Sequence, residues 1–284
     1  MIPWWSFSSA GVRSLVVALL VSIAAFWGKA QETNTPAKAL IRAHAHNDYE
    51  HPRPLLDALD HGFCSVEADV HLVDGQLLVA HDREQVRPER TLQALYLEPL
   101  RARVGRHAGR VYPNGPEFSL LVDLKTDWQS TYPVLRSVLA DYTNILTTFS
   151  TSKKPGAVLV VISGSRSKDM FLGEAIRYAG YDGQLADLKT AEPADLVPWI
   201  SANWSSTFAW RGEGEFPAGE RENLKLIVSR AHAQGKRVRF WGAPDQPTFW
   251  QVLLACDVDL INTDRLADLR RFVTLHQPPG SDER

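Results

Sequence analysis

The stretch Phe63-Cys64-Ser65-Val66-Glu67-Ala68-Asp69-Val70 decides how this chain is read. Its period of two puts Ser65, Glu67 and Asp69 on one face and Cys64, Val66 and Ala68 on the other, which is the pattern of a β-strand. Phe63 and Val66 indicate burial. Two carboxylates on one side of a buried strand are costly unless a positive charge or donors face them. A hard divalent cation, Ca²⁺ or Mg²⁺, supplies that charge and prefers such oxygens. The competing reading is a solvated edge strand with ordinary acidic residues.

Polar segments flank this strand on both sides. Upstream, residues 39–43 read as a strand that leads into His44-Ala45-His46-Asn47-Asp48-Tyr49. Downstream, Asp74-Gly75 marks a tight turn, and residues 76–80 return as a short strand that delivers His81-Asp82. Pro54 opens and Gly62 closes a helix over 54–61.

Further along, residues 118–124 form a strand candidate that places Asp123 and Lys125 on one face. Lys125 is either a charge directed at a ligand or a surface partner of Asp127. Residues 157–162 are apolar on both faces, as in a parallel strand covered by helices. Segments 181–185, 199–203, 237–241 and 258–262 are further strand candidates. Leu224, Ile227, Val228 and Ala231 give residues 222–234 a helical period that Gly235 ends. Residues 87–115 read as a basic, irregular excursion with one helical stretch near 92–104.

About eight strands separated by helices predict a single-domain α/β fold, a (β/α)₈ TIM barrel over residues 41–275. An open doubly wound sheet is the alternative, but no Gly-rich dinucleotide loop follows the first strand. A barrel gathers functional groups at the C-terminal ends of its strands. His46, Asp69, Asp123, Ser163, Trp241 and Asp264 all fall there. Asn203 and Trp204 are further candidates for lining a pocket.

The chain has 284 residues, 44% of them hydrophobic and 23% charged, the balance of a globular protein. Arg13 followed by an apolar run over 15–27 predicts a signal peptide at residues 1–30, with an uncleaved anchor as the alternative. A linker at 31–40 and a polar tail at 276–284 bracket the barrel. The expected location is secreted or periplasmic, with no stable membrane span after processing. Without residues 1–30, which carry Arg13, Lys29 and no acid, 29 basic and 33 acidic side chains remain, a net charge of −4. That balance argues against a nucleic-acid surface. Cys64 and Cys256, far apart in sequence, are expected as two separate buried thiols in a monomer.

His46-Asn47-Asp48-Tyr49, Glu67-Ala68-Asp69 and His81-Asp82 together resemble the phosphatidylinositol phospholipase C-like phosphodiesterase superfamily. The His-Asn-x-Tyr element is similar to that of eukaryotic phosphoinositide-specific enzymes. Glu-x-Asp-Val, Asp-Gly, His-Asp and Asn262-Thr263-Asp264-Arg265 resemble glycerophosphodiester phosphodiesterases. The overall resemblance is greatest to the altered-inheritance-of-mitochondria-like branch and runs from about residue 43 to 272.

The resemblance implies a TIM barrel and phosphodiester hydrolysis. It implies His46 and His81 as an acid/base pair, and one divalent cation, Ca²⁺ or Mg²⁺, on Asn47, Glu67, Asp69 and Asp123. Lys125, Arg239 and Trp241 are the expected substrate-binding residues, facing a small-molecule phosphodiester or phospholipid head group. Two departures leave the substrate open. The His-Arg-Gly start of the glycerophosphodiesterases is absent, and the third carboxylate is Asp123 where Glu is common. His44 is the alternative catalytic imidazole.

Two other functions compete. His44-x-His46 after a first strand is also the opening metal pair of amidohydrolases. Such sites draw further histidines from later strands, and none occurs between His107 and His232. The second is a non-catalytic exported binding protein on the same barrel.

Overall fold

The computed structural model describes residues 37–190 and 192–276. The expected signal peptide, most of the linker and the tail beyond His276 lie outside the described residues. Among the described residues, no helix is long and apolar enough to cross a membrane.

Eight parallel strands close on themselves, with helices outside them. They are β1 (Leu40–Ala45), β2 (Phe63–Val73), β3 (Phe118–Leu124), β4 (Val158–Gly164), β5 (Gly180–Gly183), β6 (Trp199–Asn203), β7 (Arg237–Trp241) and β8 (Leu260–Thr263). Each pairs with its neighbours in sequence order. β1 pairs with both β8 and β2, which closes the barrel. The single-domain TIM barrel read from the strand pattern is the observed fold.

Alternation along the strands sorts their side chains into two environments. On β2, Val66, Ala68 and Val70 belong to the apolar layer that the helices cover, while Ser65, Glu67 and Asp69 point to the barrel axis. Inside the barrel, Leu121, Leu159, Val161, Trp199 and Leu260 pack as a separate apolar cluster. Above it sits a buried polar layer of His44, Ser65, Glu67, Asp182, Ser201 and Arg239. The polar layer thus faces the C-terminal ends of the strands, above the apolar cluster.

β2 runs past the barrel wall and turns at Asp74 and Gly75, both at positive φ (48° and 77°), the backbone of a two-residue hairpin turn. The returning strand Gln76–Val79 pairs antiparallel with Val70–Val73 and carries His81 back to Asp69.

Several local expectations are corrected. β1 extends to Ala45, so His44 lies within the strand. The first helix is short, Leu56–Asp60, because Leu55 takes φ 63° and Asp48 Oδ2 accepts its N–H. Residues 87–115 are packed, not an irregular excursion. A π-turn at Gln93–Leu97 runs into a helix over Glu98–Arg106, burying Leu92, Tyr96, Leu97, Leu100 and Val104. Arginines interleaved with these apolar positions hide the pattern. Two of them set their guanidinium groups over aromatic rings, Arg101 over Tyr142 and Arg103 over Tyr112.

The helix Trp128–Ala140 carries Pro133 inside it, which masks its periodicity, and Asp127 caps it through Ser130 N–H. Cys64 and Cys256 are both buried, with no disulfide between them.

Candidate active site

β2 and β3 place Asp69 directly beside Asp123 in register. With Glu67 one pleat below, the three carboxylates offer oxygens that all lie within 4.8 Å of one another. The neighbouring Gly164 at φ 71° makes room, because a Cβ there would collide with Asp123 Oδ1.

The charges around these carboxylates are unequal. Burial alone would raise the Glu67 pKa, but the Arg239 guanidinium, donating at 2.6 Å, and His44 at 3.3 Å hold it well below the usual range. Burial and the Glu67 charge raise Asp69. Asp69 Oδ2 receives Tyr49 Oη at 2.6 Å and Lys125 Nζ at 2.9 Å, while its buried Oδ1 has no hydrogen-bond partner. Lys125 also meets Asp123 Oδ1 at 3.2 Å. Although burial lowers the Lys125 pKa, Asp123 and Asp69 raise it on balance. Asp127, the alternative partner, serves as the helix cap instead.

The histidines separate into a buried one and two that face a cavity. His44 is fully buried, with Nδ1 at 2.7 Å from Ser65 Oγ and Nε2 at 3.3 Å from Glu67. Burial, then Arg239, lowers its pKa to about 3, so it stays neutral and orients Glu67. His46 and His81 line a cavity of about 640 Å³ together with Asn47, Glu67, Asp69 and Asp123. His46 follows β1, where Asn47 turns the chain at φ 47°, and donates from Nδ1 to Asp264 Oδ1 at 2.9 Å. Burial lowers the His46 pKa, yet Asp264 and the Glu67 charge leave it raised overall. His81 Nδ1 lies 3.0 Å from Tyr49 Oη and 3.2 Å from Asp69 Oδ2.

The remaining expected residues take different positions. Asn47's carboxamide lies between Tyr49 Oη (2.8 Å) and His46 Nδ1 (3.1 Å). Arg239 is 3% exposed; it lines the floor of the cavity, and its guanidinium is engaged by Glu67 and Asn262. Trp241 is 43% exposed and lines the cavity. Ser163 and Asn203 also line it. Trp204 does not: its ring is buried against Phe208, Phe240 and Phe249.

Asp182, Arg166 and Asp245 join the site without having been singled out by the sequence pattern; Tyr49, quoted there only within the His-Asn-x-Tyr element, joins it through its hydroxyl. Buried Asp182 accepts from Ser163 Oγ (2.9 Å) and Ser201 Oγ (2.6 Å), with Arg166 at 3.8 Å. A carboxylate inside the 181–185 strand candidate was the available signal. Asp245 accepts from Thr263 Oγ1 and Asp264 N–H, both at 2.9 Å, and so fixes the loop that presents Asp264 to His46.

A profile of the AIM6-like phosphodiesterase domain matches residues 35–182. The chain is also 31% identical over 274 residues to altered inheritance of mitochondria protein 6 of Eremothecium gossypii, covering 82% of this chain and 69% of that protein. The chain belongs to the AIM6-like phosphodiesterase family.

A homologue of altered inheritance of mitochondria protein 6 from Arthroderma benhamiae is 28% identical over 255 residues, with 79% of this chain and 81% of that one covered. Among solved structures, a glycerophosphodiester phosphodiesterase from Agrobacterium tumefaciens aligns over 83% of this chain and 100% of its own, with a TM-score of 0.48 and 14% identity. The part matched by the AIM6-like profile holds both cavity histidines and all three clustered carboxylates. Arg239, Trp241 and Asp264 come from beyond it.

Proposed function

We propose that this chain hydrolyses phosphodiesters with the help of one divalent cation, using His46 and His81 as its acid/base pair. One observation carries the reading: both histidines line the same cavity as the only carboxylate cluster of this kind among the described residues.

The donor set fits a hard cation. Glu67, Asp69 and Asp123 would hold it, with Asn47 beside them. Asp69 Oδ1 is buried and unpartnered, which is costly unless a positive charge takes it up. Bound there, Ca²⁺ or Mg²⁺ would polarise the phosphoryl oxygens. His46, with Nδ1–H held by Asp264, would accept at Nε2 the proton of the attacking oxygen, either water or a neighbouring substrate hydroxyl. His81 would return a proton to the leaving alcohol. Lys125 adds positive charge beside the carboxylates, and Trp241 offers an aromatic wall.

The substrate class in this reading is a small glycerophosphodiester or phospholipid head group acted on outside the cytoplasm. The amidohydrolase reading is not favoured. His44 and His46 do not converge as a metal pair, since His44 is bound to Ser65 and Glu67 and His46 to Asp264.

Purified protein should cleave bis(p-nitrophenyl) phosphate and glycerophosphodiesters when Ca²⁺ or Mg²⁺ is added. Turnover that persists in chelator, or that survives loss of both His46 and His81, rejects the mechanism.

A further inference from the structure

We propose that Tyr49 is a positioning residue whose hydroxyl keeps a hydrogen on His81 Nδ1, so that Nε2, toward the cavity, is the nitrogen that carries the proton for the leaving alcohol and is bare once that proton is given. The inference rests on the phosphodiesterase reading only for the task it assigns to His81.

Tyr49 Oη has three polar neighbours: Asp69 Oδ2 at 2.6 Å, the Asn47 carboxamide at 2.8 Å and His81 Nδ1 at 3.0 Å. A phenol has one proton to give. The carboxylate is the nearest neighbour and the only anion, and 2.6 Å is the length of an O–H donating to a charged oxygen. The proton therefore goes to Asp69. The phenol oxygen then turns lone pairs toward His81, and Asp69 Oδ2 adds another acceptor 3.2 Å from the same nitrogen. A bare Nδ1 would face acceptors alone, so Nδ1 carries the hydrogen. Nε2, which has no hydrogen bond among the described residues, is left as the nitrogen that takes up and gives the catalytic proton.

The same proton orders Asn47. His46 Nδ1–H is committed to Asp264, so an amide nitrogen 3.1 Å from it would set donor against donor. Amide nitrogen and oxygen have the same shape. With Asn47 Nδ2 toward Tyr49 and its oxygen toward His46, every group is satisfied. Asp264 sets His46 and the phenol sets His81, so both imidazoles present Nε2 to the cavity.

Tyr49 is itself held rigidly. Its ring is 3% exposed, and its carbonyl accepts from Arg90 Nη2 at 2.6 Å. The preceding Asp48 accepts from Tyr96 Oη at 2.9 Å and Leu55 N–H at 2.5 Å. Both Arg90 and Tyr96 come from the packed 87–115 segment, which thereby locks the turn that carries the catalytic His46.

Tyr49→Phe removes the hydroxyl and keeps the ring. Two-bond ¹⁵N–¹H spectra of histidine-labelled protein, taken at a pH where His81 is neutral and assigned by loss of its signals in His81→Gln, read the tautomer directly. Wild type is expected to show the Nδ1–H pattern, and Tyr49→Phe a shift toward Nε2–H. A wild-type Nε2–H pattern overturns the proposal, whether or not the variant folds. On the activity side, general-acid help matters for alkoxide leaving groups and little for p-nitrophenolate. Tyr49→Phe should therefore lose about tenfold more kcat on a glycerophosphodiester than on bis(p-nitrophenyl) phosphate. Equal losses on both overturn it. If no phosphodiester is cleaved at all, the function fails while the spectrum still decides the tautomer.

Discussion

Asp264 Oδ1 lies 2.9 Å from His46 Nδ1, although the two residues stand 218 positions apart in the chain. The contact exists because β1 and β8 are neighbours at the barrel seam, where His46 N–H also bonds Thr263 carbonyl at 3.1 Å. A carboxylate on Nδ1 orients the imidazole and favours its protonated form once it has accepted a proton. Asp264→Asn keeps the shape and removes the charge. Its kcat/KM should fall by about a hundredfold with little change in thermal midpoint, since Asp264 is exposed on the surface. Steady-state kinetics and a melting curve check both halves; unchanged kcat/KM would remove His46 from the mechanism.

Arg239 and Glu67 form the most deeply buried ion pair of the site, at 2.6 Å with side-chain exposures of 3% and 7%. Arg239→Met leaves the carboxylate without its main counter-charge. Truncating one partner of such a pair costs about 3–5 kcal/mol. Urea unfolding should show a loss of that order, whereas Arg239→Lys should lose less. If Arg239→Met is as stable as wild type, Glu67 is not held by this pair.

The carboxylate cluster predicts that a cation stabilises the fold. At a hundred times its dissociation constant, a ligand that binds only the native state adds about 2.7 kcal/mol. The melting temperature should rise with Ca²⁺ or Mg²⁺ in wild type and fail to rise in Asp123→Asn. Gly164→Ala should weaken the response without replacing a carboxylate, because its Cβ would collide with Asp123 Oδ1 and with the Leu124 backbone. A cation response that survives in Asp123→Asn places the ion elsewhere.

What is legible in the sequence and what is hidden follow from the range of the contacts involved. The alternation of β2 and the Asp74-Gly75 turn are local, so the residue pattern alone puts Glu67, Asp69 and His81 on one side of the barrel. His44 is ambiguous in sequence because its burial depends on Ser65, Glu67 and the Trp199 ring, which meets it edge-on at 6.0 Å. The Arg239–Glu67 ion pair is hidden in sequence because the two partners lie 172 residues apart. Tyr49 stands within the His-Asn-x-Tyr motif, yet a one-proton argument needs all three of its neighbours. Asp69 and His81 reach it only through the pairing of β1, β2 and the hairpin.

His61 supplies a pH dependence away from the cavity. It caps the first helix at its C-terminal end, and its buried Nδ1 has no hydrogen-bond partner. Burial, then the charge of Arg270, holds its pKa below the usual 6.5. The folded chain thus favours the neutral ring more than the unfolded chain does. Above pH 6.5 both states are neutral and His61 costs nothing. As pH falls through that value, the unfolded chain takes up a proton that the folded chain resists, and stability drops until the lower folded pKa is passed. His61→Asn cannot titrate, so its melting temperature should fall less than that of wild type between pH 7.5 and pH 5, about the window in which an ordinary histidine takes up its proton. Parallel declines in the two proteins would assign the acid sensitivity to other groups.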